Sequence, residues 1–232
     1  MKQLLLTCFL LSTFSAFGQS LKEIQIAFTP KYNGEDLHLE RSYKINETDS
    51  LQIETFKCYL SNFKLYDGEK LVYTEPESYH LLNASESEHL NFILEILENI
   101  VFSHLQFDLG IDSLTNMAGV MGGDLDPTKG MYWTWQSGYI NFKLEGTSNL
   151  CDNRNNDFVY HLGGYAHPNN SIQTVSLAVN DNKKIAININ IAIASFLGKL
   201  DLTTQNHVMS LGEEAIELAQ QAIQIFSISD EK

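Results

Sequence analysis

The sequence predicts a mainly β fold: an antiparallel β-sandwich or jelly-roll-like single domain with two peripheral helices. Three observations predict it. Apolar residues alternate with polar ones in several separate segments, the signature of strands with one buried and one wet face. A clear turn signal joins two such segments. Helical spacing occurs in only two stretches.

The elements follow in order. Ile24, Ile26 and Phe28 alternate with polar neighbours, and Pro30 is expected to end that run. Residues 51–66 form a long β-prone segment whose alternation slips between Leu60 and Phe63, which predicts a bulge. Asp67-Gly68 then turns the chain into 70–74, a hairpin signal. Residues 87–101 place Leu90, Ile93, Leu94 and Leu97 on one helical face. Leu105, Phe107 and Leu109 alternate, as do Ile140, Phe142 and Leu144, and Val175, Leu177 and Val179. Ile185, Ile187, Ile189, Ile191 and Ile193 give the longest unbroken alternation. Residues 212–226 read as the second helix, with Ile216, Leu218, Ala219, Ala222, Ile223 and Phe226 at helical spacing. Glu213, Glu214 and Glu217 near its start suit the helix dipole.

The N-terminus reads as a cleavable secretory signal over 1–18. Met1-Lys2 is a short positive start, the apolar run from Leu4 to Leu11 follows, and Ala16 and Gly18 are small. That run is shorter than the ~20 residues of a membrane span. Cys8 sits too early for a lipidated cysteine, and Thr7 suits one poorly. The expected mature domain is 19–232, with no Ser/Gly-rich linker, internal repeat or low-complexity segment to divide it. It is long enough for one sizeable core.

The chain carries 15 Lys+Arg against 29 Asp+Glu, a formal charge of −14. The acids are scattered and no basic run occurs. This argues against nucleic acid and against insertion into or binding to an anionic membrane. Cys58 and Cys151 remain after cleavage. An oxidising compartment predicts a disulfide between them, a buried free thiol at Cys58 and a soft metal ligand being the alternatives.

No two of the seven histidines stand at HxH, HxxH or HxxxH spacing, so no compact zinc motif exists. His161 ends a strand-like run at Gly163-Gly164, and His80 stands in another, YHLL. Each can be a ligand or a hydrogen-bonded histidine at a sheet rim. Asp124 and Asp126 form a DxD in a glycine-rich loop, read as a turn because Pro127 follows and the rest of a calcium loop is missing. No nucleophile elbow, phosphate loop or catalytic triad pattern emerges, and no enzyme is expected. Met131, Trp133 and Trp135 cluster within five residues. They read either as sheet core or as a soft site, since thioether and imidazole suit copper(I).

FDLGIDSLTNMAGVMGGDLDPTKGMYWTWQSGYINFKLEG, followed by FVYHLGGY, resembles the MbnP family of secreted bacterial copper-binding proteins. FKCYLSN at 56–62 and the tail ending Ile225-Phe226-Ser227 are similar as well. The resemblance covers nearly all of the mature chain; MYWTWQSGY and HLGG are its specific blocks. It implies a periplasmic or secreted protein of copper homeostasis, acting with a dihaem peroxidase-like partner that in some members oxidises a tryptophan to kynurenine. It makes His161 the first candidate ligand. His80 is the second, from its place after 70–78, where the modified tryptophan of such members is expected; this chain has none there. The reading of another class is a metal-free secreted β-domain that binds protein or glycan.

Overall fold

A computed structural model describes residues 20–134, 138–180 and 185–229. The leader read over 1–18 and Trp135 lie outside the described residues. The strands are β1 (Leu21–Tyr32), β2 (Glu35–Asp36), β3 (Ser42–Lys44), β4 (Ser50–Asp67), β5 (Lys70–Thr74), β6 (Tyr79–Asn83), β7 (Asn91–Leu97) and β8 (His104–Leu109). After helix α1 (Ser113–Ala118) come β9 (Tyr132–Trp133), β10 (Gly138–Ser148), β11 (Asp157–Gly163), β12 (Gln173–Ala178) and β13 (Ala186–Ala192). Helix α2 (Ile193–Leu197), β14 (His207–Val208), α3 (Glu213–Ala222) and β15 (Phe226–Ile228) complete the chain.

Two sheets face each other across one core. The smaller runs β15-β13-β1-β2, with β7 also on β1; the larger runs β12-β8-β4-β10-β11-β14, with β3, β5 and β6 on β4 and β9 on β10. This is the β-sandwich the alternation predicts. Ile24, Ile26 and Phe28 of β1, and Ile187, Ile189 and Ile191 of β13, meet Phe56, Leu60, Phe63, Phe107, Phe142 and Leu162 of the larger sheet. Two pairings depart from the antiparallel expectation: β1 with β13, and β11 with β14, are parallel.

β4 carries the larger sheet. Its first half pairs with β10 and its second half with β8. The register slips between Ser61 and Lys64, where Asn62 takes φ 58°. This is the predicted bulge, and it moves the inward positions from Cys58 and Leu60 to Phe63 and Leu65. The predicted hairpin joins β4 to β5, with Gly68 at φ 59°.

Four expectations are corrected. Residues 87–101 are not a helix. A single 3-10 turn, Ser87–Leu90, leads into β7, which pairs antiparallel with β1 from Leu21↔Leu97 to Ala27↔Asn91. The stretch satisfies both periods. Phe92, Leu94 and Ile96 alternate inward, Ile93 is half exposed, and the free edge of β1 decides between them. Pro30 does not end β1. Proline lacks only a donor, and its carbonyl still accepts from the Leu37 amide at 2.8 Å. The second helix is present but shorter, as α3 followed by a 3-10 turn.

The fourth correction concerns the cysteines, which are both buried and both free thiols. Cys58 pairs with Phe142 in the middle of β10, whereas the Cys151 amide bonds to Ser148 beyond its end. Six residues of strand separate those levels, ~20 Å at 3.3 Å per residue. A disulfide needs Cα atoms within about 7 Å. Burial raises both thiol pKa values. Denatured, unreduced protein is therefore expected to take two alkyl groups by mass spectrometry; a product resistant to alkylation would contradict this placement. No helix among the described residues is long and apolar enough to cross a membrane.

Candidate metal site on the outer face of the large sheet

Strand register decides which histidine faces what. Phe142 and Cys58 are partners and point into the core, so their neighbours Lys143 and Lys57 point outward. Lys143 pairs with His161 on β11, which places His161 on the same outer face. His80 pairs with Leu60, a core position, and so lies on the opposite face of the sheet. The structure does not bring the two together around one point.

His80 is engaged where it stands through Nε2 and its ring. Its Nε2 lies 2.9 Å from Glu75 Oε2, and its ring stacks on Phe92 of the facing sheet at 3.6 Å and 6°. Phe63 meets it edge-on at 5.5 Å. Ser78 donates its hydroxyl to Glu75 as well. These contacts tie β6 to β7 across the sandwich.

His161 is arranged differently. It is only 7 % exposed. Nε2 lies 2.6 Å from Glu145 Oε1, while Nδ1 is buried and has no hydrogen-bond partner. The neutral tautomer that donates from Nε2 to the carboxylate carries its lone pair on Nδ1, the form in which a histidine ligates a metal. A carboxylate on the far nitrogen is the usual support of such a ligand. Lys143 Nζ stands 3.4 Å from the same Glu145 oxygen. The hydrogen bond from His161, aided by Lys143 and a Thr55 hydrogen bond, holds the Glu145 carboxyl at about 2, against the burial that would raise it.

That shift has a measurable consequence. A carboxylate whose folded pKa lies below its unfolded value stabilises the fold above the unfolded pKa and loses that contribution as pH falls toward the folded one. For Glu145 the window runs from 4.5 down to about 2. Wild type is expected to lose more stability than Glu145→Gln between about pH 5 and about pH 3, read from urea midpoints. Equal losses would show that the pair does not couple to folding.

The loop between β8 and β10 roofs this face. Asp112 caps α1 by accepting from the Leu114 and Thr115 amides. Asp124 accepts from the Leu81 amide and from Lys129 Nζ at 2.8 Å, and Asp126 caps the next turn through Thr128. The DxD is a turn, with both carboxylates engaged. Lys57 Nζ donates to the Lys129 carbonyl at 3.1 Å; burial, then repulsion from Lys143, lowers its pKa. Under this roof Met131 and Trp133 pack with Tyr59, Leu81, Ile111, Leu125, Tyr139 and Ile140 in a second apolar cluster. A Cβ at Gly163 would lie 2.5 Å from the Trp133 ring, so that ring rests on the glycine two residues beyond His161. The first glycine of the HLGG block is required by this contact.

Among the described residues, no three His, Cys, Asp or Glu side chains converge as a metal-binding group. The site therefore presents one buried imidazole nitrogen without a hydrogen-bond partner, with Glu145 on the other ring nitrogen and Lys143 on the neighbouring strand. Sequence reasoning singled out His161 as a candidate but not Glu145 or Lys143. Their alternation along β10 shows that they share a face; only the pairing of β10 with β11 shows that His161 shares it too.

Fold and site together define a two-sheet β-sandwich with a buried histidine backed by a carboxylate on the outer face of the larger sheet. The family model of MbnP matches residues 21–210, and the chain belongs to the MbnP family. MbnP from Methylosinus trichosporium has a similar structure, with a TM-score of 0.56 at 12 % identity over 77 % of this chain and 78 % of that one. At that identity the likeness shows the fold. No curated protein matches the sequence.

Proposed function

We propose that this chain is an extracytoplasmic copper-binding protein of copper homeostasis, without catalytic activity of its own, in which His161 supplies a ligand through Nδ1. The observation that carries the reading is the Nδ1 atom itself: buried, without a hydrogen-bond partner, and backed by Glu145 on the other nitrogen. An uncompensated buried polar nitrogen costs about 1–3 kcal/mol, and a metal ion offsets that cost. Copper accepts imidazole readily. Membership of the MbnP family, and the copper role implied by the resemblance of the MYWTWQSGY and HLGG blocks, support the same reading. His80, held by Glu75 and Phe92, is the weaker donor. Titration of purified protein with copper(I) anaerobically, and with copper(II), tests the proposal. One saturable equivalent is expected, and no saturable binding of either ion would overturn it.

The partner implied by the resemblance is a dihaem peroxidase-like protein, and it needs a contact surface. Leu114, Met117, Val120 and Met121 are exposed large apolar residues within eight positions of the roof loop. Patches of that kind mark interaction sites. The same strip favours the second reading, a secreted domain that binds protein without metal.

A further inference from the structure

We infer that the cavity enclosed by the ends of β1 and β3, the start of β4 and helix α2 binds a small amphiphilic carboxylate, a single short acyl chain with an ionised head. The inference is independent of the copper reading. Leu51, which lines the cavity, pairs with Ser148, five positions along β10 from the Lys143 beside His161, roughly 17 Å at 3.3 Å per residue. The cavity measures about 270 Å³, just under the range of about 300–1,000 Å³ typical of small-molecule sites. Its apolar wall includes Leu51, Leu150 beyond β10, Leu197 of α2, Leu202, and Ile45 beyond β3. Leu51, Leu197 and Leu202 belong to the main core, whereas Leu150 is only partly covered and Ile45 is 41 % exposed. Apolar surface left wet in a concavity is what an alkyl chain would cover.

The polar groups of the lining select the head. Tyr32 is 6 % exposed, its ring lies 4.3 Å from that of Tyr43, and its hydroxyl bonds to no other described residue. Tyr43, by contrast, donates its hydroxyl to the His38 carbonyl at 3.0 Å. Burial, then Tyr43, raises the Tyr32 pKa, so this hydroxyl keeps its proton and can donate. A hydroxyl so buried and unpaired carries a desolvation cost that an acceptor on a ligand offsets. Asn33 and Lys44 also line the cavity, both exposed to solvent, and neither side chain is engaged by another described residue. All three side chains can donate a hydrogen bond, and Lys44 adds a positive charge. No acid lines the cavity, although the chain carries 29 Asp+Glu against 15 Lys+Arg. Donors and one cation on an otherwise apolar wall fit a carboxylate on an apolar tail.

Titration calorimetry of the mature protein with hexanoate, heptanoate and octanoate, each below its micelle concentration, tests this. One saturable equivalent is expected, with affinity rising about fourfold per added methylene. Octanol, of the same length without the charge, is expected to bind at least about tenfold more weakly than octanoate. Tyr32→Phe removes only the unpartnered hydroxyl and is expected to weaken octanoate binding about tenfold without lowering Tm. Lys44→Gln is expected to weaken it about threefold, as loss of an exposed charge does. Methyl NMR is expected to place the octanoate-induced shifts at Leu51, Leu197 and Leu202. Should Tyr32→Phe fail to fold, the wild-type methyl shifts and the octanoate–octanol comparison decide. No saturable octanoate binding, equal affinity for octanoate and octanol, equal affinity in a folded Tyr32→Phe, or shifts confined to other methyls overturns the inference.

Discussion

His161→Ala is expected to weaken copper binding by well over tenfold while leaving the fold intact. Losing a carboxylate behind a histidine ligand already costs a metal site about 10–100-fold, and this change removes the donor atom itself. His161 contributes little to the main core, because it faces outward from β11. Its loss releases Glu145 from its shortest hydrogen bond, and that carboxylate keeps Lys143 at 3.4 Å. The fold therefore survives with Glu145 less acidic than before. Titration calorimetry of both proteins, with matched circular dichroism, checks this. Unchanged affinity in a folded variant would remove His161 from the site.

The largest stability effect is expected at Phe107. This residue is 0 % exposed in the middle of β8. Its ring lies 5.0 Å from Phe63, 6.0 Å from Phe28 on β1 and 5.5 Å from Phe226 on β15. It thus joins the larger sheet to two strands of the smaller one. Phe107→Ala removes those contacts and leaves a cavity that neighbouring strands cannot close, at a cost of about 3–5 kcal/mol. For a domain of this size that lowers Tm by roughly 10 °C. Phe107→Leu keeps most of the volume and is expected to cost less than half as much. Equal melting temperatures for wild type and Phe107→Ala, by calorimetry, would show that the two sheets are not held together here.

Much of this fold is legible in the sequence because alternation reports burial directly. Ile24-Ile26-Phe28, Leu105-Phe107-Leu109 and Ile187-Ile189-Ile191 all face the core as their spacing requires. The bulge is legible for the same reason: Leu60 and Phe63 both point inward, and only an extra residue permits that. Residues 87–101 were not legible, because Leu90, Ile93, Leu94 and Leu97 satisfy a helix while Phe92, Leu94 and Ile96 satisfy a strand. The pairing partner that decides the matter, β1, is some seventy residues away. The cysteine pairing failed on long-range register of the same kind. At the site, His161 stood out beside its glycines, and Gly163 proved to be the seat of Trp133. Glu145 is an ordinary outward carboxylate until β11 is laid beside β10. Which side of a sheet a histidine occupies is likewise a matter of pairing, and it separates His80 from His161.

The central claim is that copper binds at His161 Nδ1. Anomalous scattering at the copper edge, from a crystal of the mature protein grown with copper, tests it most directly. The account predicts a single strong peak beside His161 Nδ1, on the opposite side of the ring from Glu145. A copper peak elsewhere in a crystal that leaves this nitrogen bare, or no ordered copper at all, would contradict it.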